Sequence, residues 1–132
     1  MLKRVLDTCV LVAYWRQRKT SQTGEPTVAD VERWARELAA IHQGKAIVTP
    51  IHVEFLAGTR DSSEQRLAES YLAEFDTIDK GDIPKQDWDE TLRLARRIPP
   101  KGKPRDLGDC LIRAIAKRLK HEVITIDAGF PK

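Results

Sequence analysis

Residues 5–11, with the sequence VLDTCVL, decide the fold class. Val5 and Leu6 form a short apolar run that stops at Asp7, which predicts a buried strand. The apolar stretch from Cys9 to Tyr14 then predicts the start of a helix, and the polar stretch 16–25 predicts a loop. A strand that leads directly into a helix is the opening unit of a parallel α/β arrangement.

The rest of the chain repeats this alternation of short apolar strands and amphipathic helices. We therefore predict an α/β fold, with a single domain over residues 1–132 that has a short parallel sheet and helices on both faces. Further strands are predicted at 46–48, 77–78 and 123–126, and helices at Thr27–Gly44, at 51–57 behind a Thr49-Pro50 cap, after a Ser62–Gln65 capping box, from Pro84 to Pro99, and from Asp106 to about Lys120.

Helical spacing also predicts which side chains are buried. The apolar faces predicted to pack into the core include Ile41, Leu107 and the set Trp88, Leu92, Ala95 and Ile98. Trp34 and Trp88 are therefore assigned to the core. Trp15 is left open between the core, a base-stacking role and a dimer interface.

Composition sets limits on function. The net charge of +3 is mildly basic and favours a polyanionic partner only slightly. No window approaches the ~20 apolar residues of a membrane span, and the N-terminal apolar run is too short for a signal peptide. Cys9 and Cys110 have no zinc-site spacing and are interpreted as small buried thiols. We therefore expect a cytoplasmic protein without a membrane partner.

Four carboxylates fall where parallel strands and their helices meet. Asp7 ends the first strand and Asp127 ends the last one. Glu54 lies one turn into the helix after the second strand, and Asp109 lies in the first turn of the helix that leads into the last strand. Because ligands bind beyond the carboxyl ends of parallel strands, we expect these four side chains to converge.

Such convergence points to a metal-dependent hydrolase. Clustered carboxylates repel one another, and a hard divalent cation such as Mg²⁺ or Mn²⁺ removes that cost. The ion can assist the attack of water on a phosphodiester, so no side-chain nucleophile is needed. Each acid also has a structural interpretation, because Asp7 and Asp127 can start turns, Asp106 and Asp109 can form a capping box, and Glu54 can lie on a solvated face.

Several segments resemble one known family, the PIN-domain ribonucleases. Residues 5–11 are similar to that family's opening "LDT" strand, and 51–58 carry Glu54 in a form close to "E-L-x-x-G". Residues 109–116 resemble its "D-x-x-I-A-x-x-A" helix, and 125–130 resemble its closing "T-x-D-x-x-F". The resemblance extends from residue 4 to residue 130, with Arg113 at a helix position that is often alanine.

The resemblance implies a Mg²⁺- or Mn²⁺-dependent endoribonuclease that cuts single-stranded or loop RNA, with tRNA or ribosomal RNA expected. Small members are mostly VapC-type toxins of toxin–antitoxin pairs, which implies a homodimer and a cognate antitoxin. The implied catalytic and metal-binding residues are Asp7, Glu54, Asp109 and Asp127. Asp106 is a further candidate ligand or supporting residue.

The residues around these acids leave two questions open. Thr8 and Thr125 flank two acids, where they can orient a carboxylate or a metal-bound water, or satisfy local backbone groups. Several cations near the acids can line an RNA approach or be ordinary surface charge; they are Arg60, Lys101, Lys103, Arg105, Arg113 and Lys117.

Two other functional classes compete with the ribonuclease. A haloacid dehalogenase-like phosphohydrolase also has an aspartate after strand one, but its D-x-D-x-T motif needs a second aspartate where this chain has Cys9. A non-catalytic module that binds RNA or protein is the other alternative, although such a module has no need of four clustered acids.

Overall fold

Four short parallel strands form the centre of the computed structural model, which describes residues 3–97 and 104–132. The strands are β1 (Lys3–Leu6), β2 (Ala46–Ile47), β3 (Asp76–Thr77) and β4 (His121–Ile124), in the spatial order β3-β2-β1-β4. In the described residues they alternate with six helices, which are α1 (Thr8–Ser21), α2 (Val28–His42), α3 (Thr49–Ala57), α4 (Ser62–Leu72), α5 (Lys85–Ala95) and α6 (Leu107–Arg118).

The central strand β1 shows that both faces of the sheet are covered. Val5 and Leu6 are each 0% exposed, and successive side chains of a strand point to opposite faces. The strand pairs in parallel with β2 on one side and with β4 on the other, where Leu6 is in register with Ile124. The predicted α/β fold with a short parallel sheet is confirmed.

The helix α1 is longer than its sequence pattern predicts. The pattern predicts a loop over 16–25, but the helix continues to Ser21. No glycine or proline interrupts it before Gly24, and the hydroxyls of Thr20 and Ser21 donate to the carbonyls of Arg16 and Gln17, four residues earlier. This extension places Arg16 and Lys19 on the same helix that begins beside Asp7.

The caps of α2 follow the predicted pattern with one difference. Thr27 and Asp30 form the expected capping box at its start. At its end the left-handed residue is Gln43, with a φ of 53°, whereas the predicted stop is Gly44. A Cβ on Gly44 would lie 3.0 Å from the Cβ of Arg4, so this glycine allows the chain to pass close to β1. Ile41 is 62% exposed, so its predicted burial is wrong.

The next helices are capped by residues other than those predicted. Thr49 is the first residue of α3 rather than its cap, and its hydroxyl and backbone N–H both donate to Asp79 at 2.9 Å. Asp61, and not Ser62, caps α4 by accepting from the backbone N–H of Glu64 at 2.8 Å. The helix α3, which carries Glu54, is therefore fixed at its start by a buried carboxylate that follows β3.

The helix α5 buries a different face from the one predicted, rotated by one residue, or about 100°. Asp87, Thr91 and Leu94 are buried, while Trp88 and Leu92 are 47% and 49% exposed. The cause is Arg118 on α6, whose Nε donates to both carboxylate oxygens of Asp87 at 2.8 and 3.0 Å. A buried charge needs its partner, so this ion pair fixes the rotation of the helix.

The predicted apolar face of α5 includes two further residues, Ala95 and Ile98. Ala95 is exposed and ends the helix, before the predicted end at Pro99. Ile98 lies outside the described residues.

The last two elements differ at their ends from the prediction. Asp106 caps α6 as expected, by accepting from the backbone N–H of Asp109 at 3.0 Å. Leu107 in its first turn is 68% exposed rather than buried. The last strand ends at Ile124, two residues before its predicted end, and Ile126 is 70% exposed. Asp127 therefore lies in the turn after the strand.

An aromatic cluster fixes α1 against α3 and α4. Trp15 contacts Trp34, Phe55 and Tyr71 edge to face, with ring centroids 5.6, 5.6 and 5.0 Å apart. The hydroxyl of Tyr71 donates to the carbonyl of Leu11 at 2.9 Å. Trp15 therefore belongs to the core, and the cluster holds together the two helices that carry Asp7 and Glu54. No helix in the described part of the chain is long and apolar enough to cross a membrane.

Candidate active site

Asp7 is the most tightly held of the four predicted acids. It follows β1, caps α1 and is 3% exposed. Its Oδ1 accepts from the backbone N–H of Thr8 at 2.8 Å, and its Oδ2 accepts from the Thr125 hydroxyl at 2.7 Å and the Cys9 thiol at 3.2 Å. Three donors therefore fix this carboxylate, and none of them carries a charge.

Glu54 approaches the same edge from α3. Its Oε1 accepts from the Thr8 hydroxyl at 2.8 Å. Burial raises the pKa of Glu54, and the charges of Asp106 and Asp7 raise it further, against a lowering by the Thr8 hydrogen bond. Glu54 therefore belongs to the cluster through the charges of Asp106 and Asp7, and it also stands on an exposed face of α3.

Asp109 is influenced by three other carboxylates of the site. Its pKa is raised to about 7, chiefly by burial and then by the charges of Asp106 and Asp7 and a hydrogen bond with the side chain of Asp127. In the absence of a cation this group is therefore about half protonated near neutral pH. The four predicted acids do converge on one edge of the sheet.

Asp127 and Asp106 also have local structural roles. The Oδ1 of Asp127 accepts from the backbone N–H of Gly129 at 2.9 Å, so the turn interpretation holds as well. The Oδ1 of Asp106 caps α6. Each of these two acids therefore combines a local hydrogen bond with a charge that acts on Asp109.

A glycine allows Glu54 and Asp106 to approach each other. A Cβ on Gly108 would lie 2.9 Å from the Oε2 of Glu54 and 3.1 Å from the Oδ1 of Asp106. Sequence reasoning missed Gly108. The feature that could have revealed it is a glycine in the first turn of a helix, where helix propensity disfavours glycine.

The two threonines resolve the question that the sequence left open. Thr8 orients the carboxylate of Glu54. Thr125 both orients a carboxylate and satisfies a backbone group, since its hydroxyl donates to Asp7 and accepts from the backbone N–H of Asp127 at 3.0 Å. Cys9 is a further site residue that sequence reasoning missed, and its position two residues after Asp7 was the available signal.

The thiols take no nucleophilic role here. Burial raises the pKa of the Cys9 thiol, so it stays protonated and donates to Asp7. Cys110 is buried, whereas Cys9 is only partly so, and both are free. A thiol also replaces the second carboxylate that the phosphohydrolase motif requires beside Asp7.

In the part of the chain that the structure describes, the acids meet no cationic side chain. Among the described residues, none of Asp7, Glu54, Asp106, Asp109 and Asp127 has a lysine, arginine or histidine nitrogen within 4.0 Å. The donor set is all oxygen and strongly negative, which fits a hard divalent cation. As the side chains stand, no three His, Cys, Asp or Glu groups in the described ranges are arranged to hold a metal ion.

The cations that the sequence left open between an RNA approach and ordinary surface charge are only partly free of protein partners. Arg60 pairs with Glu64 at 3.1 Å, and Lys117 pairs with Glu90 at 3.0 Å. Arg105 has its Nε buried, and Lys101 and Lys103 lie outside the described residues. Arg113, on α6, is half-buried. Two cations that were not predicted, Arg16 and Lys19 of α1, line a cavity that reaches Glu54.

Comparison with known proteins agrees with this geometry. Residues 4–132 match the PIN domain family, a range that includes all five acids of the site. No protein of curated function matches the chain at significant similarity.

Proposed function

This chain belongs to the PIN-domain family, whose members are generally metal-dependent nucleases, and we propose that it is a Mg²⁺- or Mn²⁺-dependent endoribonuclease. The observation that supports this most strongly is the cluster of acids that lacks any cationic partner among the described residues. Burial, together with the charges of Asp106 and Asp7, raises the pKa of Asp109 to about 7, and a bound cation would offset this cost of the charged form.

Each residue of the acidic site has a separate role in this proposal. Asp7, Glu54, Asp109 and Asp127 would hold the ion, which when bound supplies charge neutralisation and Lewis acidity. Thr125, Cys9 and the Thr8 backbone keep Asp7 in place, and the Thr8 hydroxyl keeps Glu54 in place. Because the described residues of the site include no activated side-chain nucleophile, we infer that water is the attacking group.

The finer assignments rest on the family resemblance. We propose a VapC-type toxin that acts in the cytoplasm, forms a homodimer and is silenced by a cognate antitoxin. Single-stranded or loop RNA, in tRNA or ribosomal RNA, is the proposed substrate, and the net charge of +3 supports a polyanion. Light scattering of the purified chain, alone and after co-expression with a neighbouring gene product, tests the assembly separately from the activity.

The test of activity is cleavage of total cellular RNA with Mg²⁺ or Mn²⁺ present. Discrete cuts are expected, and they should disappear with EDTA and in the Asp109→Asn variant. A phosphomonoester substrate is included, because its hydrolysis without RNA cleavage would instead indicate a phosphohydrolase. A folded protein that binds metal and RNA but cuts nothing would indicate a non-catalytic module.

A further inference from the structure

A groove beside the acids runs along α1. It has a volume of about 380 Å³, which lies in the range of small-ligand sites. The helix α1 lines it with Val12, Trp15, Arg16 and Lys19, and α3 contributes Glu54. One end of the groove is therefore a residue of the acidic site itself.

Helix geometry connects this groove to the acids. Thr8, Val12, Arg16 and Lys19 share one face of α1, because they are spaced by four, four and three residues. Thr8 holds Glu54, and Arg16 lies eight residues further along the helix, which corresponds to roughly 12 Å. A chain bound at the acids and continuing along α1 would meet these two cations next.

Within the described residues, no acidic side chain neutralises the charges of Arg16 and Lys19. No carboxylate of the described residues lies within 4.0 Å of either one, whereas their neighbour Arg18 pairs with Glu37 at 3.3 Å. Arg60, on the same groove, is already paired with Glu64. Two of the three cations of the groove therefore face a ligand or solvent.

The floor of the groove is apolar and rigid. Trp15 and Phe55 are 8% and 7% exposed and pack edge to face with centroids 5.6 Å apart, so only their edges reach the groove. Val12 lies beside them. The buried rings offer no open face for stacking, but the apolar floor gives a base a surface to pack on, and the cationic rim offers contacts for phosphates.

We propose that this groove binds the RNA strand next to the cleaved linkage. Arg16 and Lys19 contact backbone phosphates, and a base lies against Val12, Trp15 and Phe55. This inference rests on the proposed ribonuclease function and adds the substrate-binding residues to it. It also explains why a site that is itself negative can retain a polyanion, since the attraction lies beside the acids rather than among them.

The test compares two double variants of the full chain on one single-stranded RNA that the wild type cleaves. Arg16→Gln with Lys19→Gln removes the groove charges. As a control, Lys45→Gln with Lys120→Gln removes the same amount of charge. These two residues directly precede β2 and β4, at the opposite edge of the sheet. The KM and kcat of each are measured over roughly 0.05 to 0.5 M salt, with circular dichroism to confirm the fold.

The groove variant is expected to raise KM by roughly tenfold or more at about 0.1 M salt and to change kcat little. The slope of log KM against log salt concentration should be smaller than that of the wild type by about 1.4, which is about 0.7 for each phosphate that is no longer neutralised. The control variant should match the wild type. If the double variant does not fold, the single variants should each show about half of the change in slope.

Failure of the inference is distinct from failure of the proposed function. Wild type that cuts no RNA would remove the basis of both. If the wild type cuts RNA and the folded groove variant keeps the KM and the salt slope of the wild type, only the proposed role of the groove is overturned. That result would leave the groove to a protein partner.

Discussion

Charged side chains are arranged differently at the two edges of the parallel sheet. At the amino edge, opposite charges on neighbouring strands are paired, with Arg4 and Glu122 at 2.6 Å and Lys45 and Asp76 at 3.8 Å. At the carboxyl edge, five carboxylates share one region, and no described cationic side chain pairs with them. The first arrangement is ordinary surface stabilisation, whereas the second has a cost that only a ligand removes.

The difference has a structural cause at the carboxyl edge. The helices α1 and α6 begin there, so their free N–H groups and positive ends accept acids such as Asp7 and Asp106. Neutral donors also reach this edge, since the Thr8 hydroxyl donates to Glu54 and the Thr125 hydroxyl donates to Asp7. Like charges can therefore gather at this edge without a counter-charge from the described residues.

The largest expected contrast is in activity. Asp7→Asn should lower RNA cleavage by at least about a thousandfold, because it removes a fixed charge from the proposed metal site. Asp76→Asn, at the amino edge, should leave cleavage unchanged, since Asp76 is 65% exposed and pairs only with Lys45. Cleavage rates of the two purified variants check this. Equal activity of the two would remove the distinction between the edges.

A glycine at each edge gives a second contrast. Gly108→Ala should slow cleavage roughly ten- to hundredfold, because the new Cβ lies 2.9 Å from the Oε2 of Glu54 and displaces that flexible carboxylate. Gly44→Ala should instead keep the activity and lower the free energy of unfolding by about 1 kcal/mol, since its Cβ meets the Arg4 backbone oxygen at 3.1 Å. Parallel kinetics and urea unfolding separate the two. Loss of both properties in both variants would contradict this division.

The third contrast is a pH dependence caused by Asp109. The folded, metal-free protein holds a proton on this group up to about pH 7, whereas the unfolded chain releases it near pH 4. Between these values the folded state binds more protons, so the free energy of unfolding falls as pH rises. Asp109→Asn removes this fall. Above pH 7 the variant should be more stable than the wild type by about 1 kcal/mol, after allowance for solvent exposure.

Urea unfolding in EDTA at pH 4 to 8 measures this effect. Addition of Mg²⁺ at about ten times its Kd should stabilise the wild type by about 1.4 kcal/mol at neutral pH and leave Asp109→Asn almost unchanged. The raised pKa of Asp109 would be contradicted if the free energy of unfolding of the metal-free wild type rose from pH 4 to pH 7 more steeply than that of the variant.

The smallest contrast concerns an ordinary surface pair. Glu122→Gln breaks the ion pair with Arg4, whose side chain is 32% exposed, and should lower the free energy of unfolding by about 0.2 to 1 kcal/mol. Its effect should shrink as salt increases, and cleavage should not change. Thermal unfolding at low and high salt is sufficient, and a loss above about 2 kcal/mol would place this pair in a different class.

Local sequence patterns were enough for much of the site. Asp7 ends an apolar run, and Asp109 lies three residues after a good cap, so their positions follow from short-range rules. The convergence of the four acids follows from the parallel sheet alone, because its carboxyl ends share one edge. The roles of Thr8, Cys9 and Gly108 required atomic contacts between separate elements, which no spacing encodes.

What the sequence by itself determined is therefore the alternation of strands and helices and the placement of acids at strand ends and helix starts. Only the tertiary structure decided which face of α5 is buried. The apolar spacing favoured Trp88 and Leu92, but Asp87 is buried because Arg118, 31 residues later, neutralises it. Periodicity reports the apolarity of each face of a helix, whereas burial of a charge depends on a partner that is distant in the chain and close in space.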